Sequence, residues 1–409
     1  MSNKVGYKET KVGLIPEQWE VKPLKELCDL LNGRAYKKDE LLSEGKTPIL
    51  RVGNFFTNQQ WYYSDLELEE SKYCDNGDLL YAWSASFGPK IWDGSKVIYH
   101  YHIWKLRLAE NIDKKFLYYS LLADVNKLKR SLTGSTMVHI SKENMEPRLF
   151  PVPSLKEQQK IAEILSSVDA AIEKTEQVIA KTEEVKKGLM QQLLTKGIGH
   201  TEFKQTEIGE IPVEWEVKKL VNFSKINSEN LTSSTQPEYE FNYIDIATIT
   251  DTGIIGETTK YSFCDAPSRA RRVVRNKDII VSTVRPYLKS FAFITEEQDG
   301  YIASTGFAII RVNEDVDSNY IYQHILSERF IEYCKSKMTG SNYPAISAND
   351  VKEYSIGIPP LKEQKKISSI LNEYDKKLQC EKDKIIKLKS IKQGLMQQLL
   401  TGQARVKVD

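Results

Sequence analysis

A chain of 409 residues with 40% hydrophobic and 10% aromatic content has apolar material for more than one core, which excludes general disorder and predicts two or three domains. Its formal charge of +2, from 58 Lys plus Arg against 56 Asp plus Glu, neither requires nor excludes a polyanionic partner, so any basic surface has to be local. Five cysteines without a C-x-x-C pair argue against a zinc knuckle or disulfide framework; with no apolar N-terminal leader and no run near the roughly 18 apolar residues of a membrane span, a soluble cytoplasmic protein is expected.

The chain repeats itself. Thr10 to Leu24 (TKVGLIPEQWEVKPL) returns as Thr206 to Leu220 (TEIGEIPVEWEVKKL), identical at 9 of 15 positions. Each copy leads into a long stretch, Lys25 to Val152 and Val221 to Ile358, where short apolar runs alternate with turn signals. In the first, Ile49 to Val52, Asp78 to Trp83, Lys96 to Tyr99 and Ile103 to Leu106 are predicted strands; in the second, Tyr243 to Ile246, Asp278 to Val281 and Phe307 to Val312. One helix is expected near the end of each, at 113–130 and 319–337, giving mixed α and β domains. Gly77-Asp78-Leu79-Leu80 echoes Lys277-Asp278-Ile279-Ile280, and Thr133-Gly134-Ser135 with Ile140-Ser141 echoes Thr339-Gly340-Ser341 with Ile346-Ser347. The two stretches are therefore expected to share a fold, and their divergent content to serve related but distinct tasks.

After each stretch comes the second repeated unit, Pro153 to Thr195 and Pro359 to Thr401, aligned over 43 residues without a gap. Apolar residues there recur with steps of four and three. Ile161, Leu165, Val168, Ile172, Thr175, Ile179, Thr182, Lys186, Leu189 and Leu193 keep a 3.5-residue period, as do Ile367, Leu371, Tyr374, Leu378, Glu381, Ile385, Leu388, Lys392, Leu395 and Leu399. That period predicts a coiled-coil seam on helices about 60 Å long, entered sharply at Pro153 and Pro359-Pro360. A chain that leaves one domain and returns from another implies antiparallel helices. Charge at the seam predicts that Lys186 faces Glu381 and Lys392 faces Thr175.

Catalytic motifs are not found. Gly45-Lys46-Thr47 lacks the glycine five positions earlier that a phosphate loop requires, where Glu40 stands. His100 and His102 have no carboxylate or cysteine at ligand spacing, so a core or polar-readout role is favoured over a metal site. Neither G-x-S-x-G, G-x-G-x-x-G after a strand, nor an Asp/Asn-Pro-Pro-Tyr/Phe methylation motif occurs. Between Arg269 and Lys289, however, seven basic residues (Arg269, Arg271, Arg272, Arg275, Lys277, Arg285, Lys289) stand against one acid, Asp278. Such a run suits a phosphate backbone, with Thr283, Tyr287, Ser341, Asn342 and Tyr343 adding hydrogen bonds or stacking. Arg34, Lys37 and Lys38 form a smaller patch, and Trp83 to Gly88 and Gly134 to His139 are polar turns with bulky neighbours.

The paired P-x-L-K-E-Q-x-K-I entries, the paired G-L-M-Q-Q-L-L-T ends and the paired I-P-x-x-W-E-V-K segments resemble those of the specificity subunit of type I restriction-modification systems. The resemblance covers nearly the whole chain. It implies an α+β protein with internal two-fold pseudosymmetry, in which two similar mixed α/β target-recognition domains are separated by a long antiparallel two-helix coiled coil. The corresponding boundaries are a first target-recognition domain at 1–152, a first spacer helix region at 153–200, a second target-recognition domain at 201–358 and a second spacer helix region at 359–409. It further implies that each domain reads one half of an asymmetric, bipartite site in double-stranded DNA. The helices then set the spacing and dock two modification subunits, with restriction/translocase subunits in the full complex. S-adenosylmethionine, ATP and magnesium would belong to those partners, leaving this chain without cofactor, metal or catalytic residues. Of the candidate DNA contacts, Ser135, Ser141, Ser341 and Ser347 sit in the recurrent Gly-Ser and Ile-Ser turns. Ser84, Ser86, Thr136, His139 and Lys142 join them in the first domain, and Arg285, Tyr287, Asn342 and Tyr343 in the second, Arg and Asn being suited to guanine and adenine edges. Two other classes remain open on the residues alone: a self-contained DNA methyltransferase or nuclease, which would need a cofactor or metal site, and a coiled-coil scaffold that binds no DNA.

Overall fold

The computed structural model describes residues 6–56, 59–84, 87–131, 139–340 and 342–407, which fall into two compact units, Met1–Gln177 with Asp383–Asp409, and Val178–Lys382. In the first unit one sheet runs Cys28–Asn32, Ile103–Leu108, Leu79–Ala82, Gly88–Ile91, all antiparallel. Its central strand Leu79–Ala82 is buried on both faces, as a continuous apolar run requires. Alternation divides its side chains: Leu79 and Tyr81 join Trp104, Leu117 and Leu121 against the helix Lys114–Ser131, while Leu80 and Ala82 join Leu50 and Tyr99. The latter two belong to a second sheet, Tyr62–Ser64, Thr47–Leu50, Val97–Tyr99, Tyr73–Cys74, in which Val97–Tyr99 lies parallel to Thr47–Leu50.

The second unit repeats this layout. Ser224–Ile226, Phe307–Val312, Ile279–Ser282 and Phe291–Phe293 form the first sheet in the corresponding order. Thr259–Ser262, Glu240–Ile244, Ile302–Ser304 and Ala270–Val273 form the second, with Glu240–Ile244 and Ile302–Ser304 parallel. Ile279 and Val281 again face one core and Ile280 the other. The expected shared fold is thus present, with a departure in its helices. Instead of a single helix over 319–337, Ser318–Leu326 and Glu328–Lys337 are separate, because the Ser327 hydroxyl accepts the Phe330 N–H (3.3 Å) and starts a new helix.

The spacer helices are Leu155–Lys196 and Leu361–Leu399. Their repeated entry residues have one job in each unit. The Gln158 carboxamide accepts the Asp113 N–H and donates to the Asn111 and Pro153 carbonyls; Gln364 accepts from Asp317 and donates to Pro359. Glu157 accepts the Trp19 indole N–H at 3.0 Å, and Glu363 that of Trp215 at 3.2 Å. The other oxygen of Glu157 takes Arg405 from the C-terminal segment, whereas Glu363 takes the Ile198 N–H and His200 from the link after the first helix. The Tyr7 hydroxyl also donates to the Gly402 carbonyl (2.8 Å), so the first unit is closed by both ends of the chain where the second is closed by a continuous link.

Within the first unit Lys392 pairs with Asp169 (2.6 Å), and within the second Lys186 pairs with Asp375 (2.5 Å). Both pairs require antiparallel helices and one common register. That register corrects the expected pairing of Lys186 with Glu381 and of Lys392 with Thr175. The acids that decide it lie beside the seam rather than on it: a seam lysine buries its stem and carries its ammonium out to a flanking carboxylate. The seam hydroxyls are also self-sufficient, since Thr175 donates to the Ala171 carbonyl and Thr182 to that of Val178.

One buried group is expected to make the second unit acid-sensitive. His324 is 2% exposed, stacks edge-on against Tyr320, and its Nε2 has no hydrogen-bond partner among the described residues. Burial pushes this imidazole down to about 3, with the Arg329 charge adding to the effect. An unfolded histidine takes its proton near pH 6.5, so between there and about pH 3 the unfolded chain holds the extra proton. Stability of this unit is expected to fall as pH drops through that window by roughly 1 kcal/mol per pH unit. In urea titrations at pH 7 and pH 5, His324→Leu should show a smaller loss of midpoint on acidification than the parent chain.

Candidate nucleic-acid interface

The same irregular segment follows the central strand of each unit. In the second unit the chain leaves Ile279–Ser282 through Thr283 and Val284 and meets the turn before Ile346. Val284 bridges Ala345, the Ile346 N–H reaches the Thr283 carbonyl (2.9 Å), and the Arg285 N–H reaches the Pro344 carbonyl (2.8 Å). The Arg285 guanidinium lies over the Tyr343 ring, 4.9 Å from its centre, and donates to the Asn342 carbonyl at 3.1 Å. Tyr343 is 72% exposed, and Tyr287 and Asn342 are exposed as well. Three expected contacts, Arg285, Asn342 and Tyr343, are therefore brought together by two segments far apart in sequence, with the exposed Tyr287 two residues after Arg285. A stacked guanidinium held from behind has fewer orientations to lose on meeting a base edge.

In the first unit the equivalent bridge joins Ser84 to His139. Ser84 is buried, but its neighbour Trp83 packs edge-on against His102 (4.9 Å) and His139 (6.1 Å) and donates its indole N–H to the Tyr101 carbonyl. His100 lies 4.9 Å from His102. Burial pushes His100 down to about 4, and His102 is lowered by burial and then by the charge of His139. Neutral imidazoles of this kind offer one donor and one acceptor each, which suits base edges rather than phosphates. Sequence reasoning singled out the turn from Trp83 to Gly88 but not the packing of Trp83 on Tyr101, nor the grouping of His102 with His139; the signal available was that Trp83 and Thr283 directly follow equivalent strands. Among the described residues no group of three or more His, Cys, Asp or Glu is placed to hold a metal ion. Burial also pushes the thiols of Cys28, Cys74 and Cys334 up to about 12, leaving them un-ionised at neutral pH.

Much of the basic run of the second unit is engaged within the unit itself. Arg275 pairs with Glu229, Lys289 with Glu328, and Arg272 donates to Asn230, its Nε buried and its charge disfavoured by burial. Arg271 stacks on Phe263 and donates to the Ala270 carbonyl, while Arg269 is exposed. In the first unit Arg34 is held bidentately by Glu40, leaving Lys37 and Lys38 exposed. Lys142 reaches the Leu30 carbonyl and Glu146. Ser141 and Ser347 stand at the starts of short helices; the Ser347 hydroxyl caps its helix, accepting from Asp350 N–H and donating to its carboxylate, whereas the Ser141 side chain makes no capping bond. Ser86, Ser135, Thr136 and Ser341 lie outside the described residues.

The model of the type I restriction modification DNA specificity domain matches residues 16–184 and again residues 212–390. The chain belongs to that family. This specificity subunit is 28% identical to the MjaVIII specificity subunit of Methanocaldococcus jannaschii, over 98% of this chain and 96% of that one. To the EcoDI specificity subunit of Escherichia coli it is 24% identical, over 87% and 81%. Among solved structures, the S subunit of the type I system from M. genitalium superposes with a TM-score of 0.59 at 17% identity, covering 98% of both chains. A chain from a study of complex assembly and conformational transition of the type I system gives 0.52 at 19% identity, over 95% and 99%. These likenesses extend to the fold of the whole specificity subunit, two similar mixed domains with long antiparallel helices. No described helix is long and apolar enough to cross a membrane.

Proposed function

We propose that each unit of this specificity subunit reads one half of an asymmetric, bipartite site in duplex DNA through its paired segments, Trp83–Ser84 with His139 and Arg285–Tyr287 with Asn342–Tyr343. The observation that carries this reading is the recurrence of one bridged segment pair in both units with different side chains on it. One scaffold holding unlike readers is what an asymmetric site requires. Arg285 suits the O6 and N7 of a guanine and Asn342 an adenine, while the neutral imidazoles of His100 and His102 in the first unit supply single donors or acceptors. The exposed Arg269, Lys37 and Lys38 are then assigned to phosphates.

In this reading the chain works in the cytoplasm without chemistry of its own. The target-recognition domains span 1–152 and 201–358, and the helices between and after them set the half-site spacing. The repeated frame offers two equivalent surfaces, which suits two copies of one modification subunit. Those subunits carry S-adenosylmethionine, and restriction/translocase subunits use ATP and magnesium. The test is the pattern of methylated adenines in host DNA. Arg285→Ala is expected to relax one position of one half-site, by about 1–3 kcal/mol of discrimination, with the other half unchanged. A variant that alters both halves, or neither, would reject the assignment.

A further inference from the structure

We propose that Leu288 reads the 5-methyl group of a thymine in the half-site met by the second unit, an inference that rests on the DNA-reading role assigned above. Leu288 ends a single helical turn, Pro286–Leu288, bracketed by Arg285 and Lys289 in the left-handed region at φ 49° and 53°. Neither is a residue that favours this region, and each costs about 1 kcal/mol or more there. Both are held in place from several sides. Arg285 is fixed through Pro344, Asn342 and Tyr343, while the Lys289 ammonium meets Glu328 (3.0 Å) and its carbonyl accepts from Thr252 (3.1 Å) and Phe291 (2.7 Å).

The result of this bracing is an outward apolar tip. Pro286 is buried beneath the turn, whereas Leu288 is 61% exposed, beside Tyr287 and the Arg285 that stacks on Tyr343. A lone exposed leucine is ordinary; one set on a strained, braced turn among polar base readers is not. An isobutyl group makes no hydrogen bond, so on the major-groove edges of the four base pairs the thymine methyl is the group it can cover favourably.

The test uses the complex of this chain with its modification subunit and a duplex carrying the site found from host methylation. Each thymine in the second unit's half-site is replaced singly by deoxyuridine, which differs by that methyl alone. At one position the parent complex should weaken about fourfold, the value of one methyl group taken from water. The Leu288→Ala complex should bind thymine and uracil equally there and keep the parent response elsewhere. Continued discrimination by Leu288→Ala at every thymine, indifference of the parent complex to every replacement, or a loss spread equally over all duplexes, as for a wedge between bases, would each overturn the proposal. Arg285→Ala on the same duplexes separates the two ideas. If it binds like the parent, the reading surface itself is misassigned; if it weakens while Leu288→Ala shows no coupling to a methyl, only the thymine contact fails.

Discussion

Inserting one heptad after Gln177 and another after Lys382 is expected to abolish tight binding to the natural DNA site. The two positions lie where the chain passes from one compact unit to the other within the spacer helices, so each unit keeps its own ion pair, Lys392 with Asp169 in one and Lys186 with Asp375 in the other. Seven residues lengthen a helix by about 10 Å, which is close to 3 bp of duplex. Specific binding exceeds non-specific binding by about 4–10 kcal/mol, so losing one of two half-sites removes roughly half of that, at least about 30-fold. Competition against duplexes with graded spacers should move the optimum to a longer spacer or leave none. Undiminished affinity for the original spacing would show that the helices are not the ruler.

Trp215→Ala is expected to cost the second unit about 4 kcal/mol. Trp215 is fully buried, and its indole N–H is one of three donors on Glu363, with the Ile198 N–H and His200. Its ring lies so close to Gly357 that a Cβ there would stand 2.8 Å from it. Removing the indole leaves a large cavity and deprives a half-buried carboxylate of a partner, two costs that add. For a unit of this size the midpoint should fall by about 10 °C. Trp19→Ala, acting on Glu157, should do the same to the first unit. A calorimetric scan in which Trp215→Ala shifts neither transition would mean that this node is not a foundation of the unit.

Both experiments turn on features visible as repeats in the sequence, and the reason is physical. A 3.5-residue period and an apolar alternation are properties of near neighbours, so the helices, the buried strands Leu79–Ala82 and Ile279–Ser282, and the common fold of the two inserts follow from the chain locally. The repeated Trp and the repeated Glu-Gln pair were legible as a frame, although their mutual bond across 138 residues was not.

Charge and contact across long separations were settled only in three dimensions. The run from Arg269 to Lys289 reads as one basic patch, yet Glu229 and Glu328, 46 and 39 residues away from their partners, neutralise Arg275 and Lys289. The helix register followed Asp169 and Asp375, acids beside the seam that a pattern of seam positions alone does not weigh. The meeting of Arg285 with Asn342 and Tyr343, and of Trp83 with His102 and His139, depends on which turns lie side by side after the sheets form. Sequence by itself determined the repeated architecture and the family, because burial patterns are local; tertiary structure decided which side chains gather on the proposed reading surface, because they become neighbours only once the strands that carry them have paired.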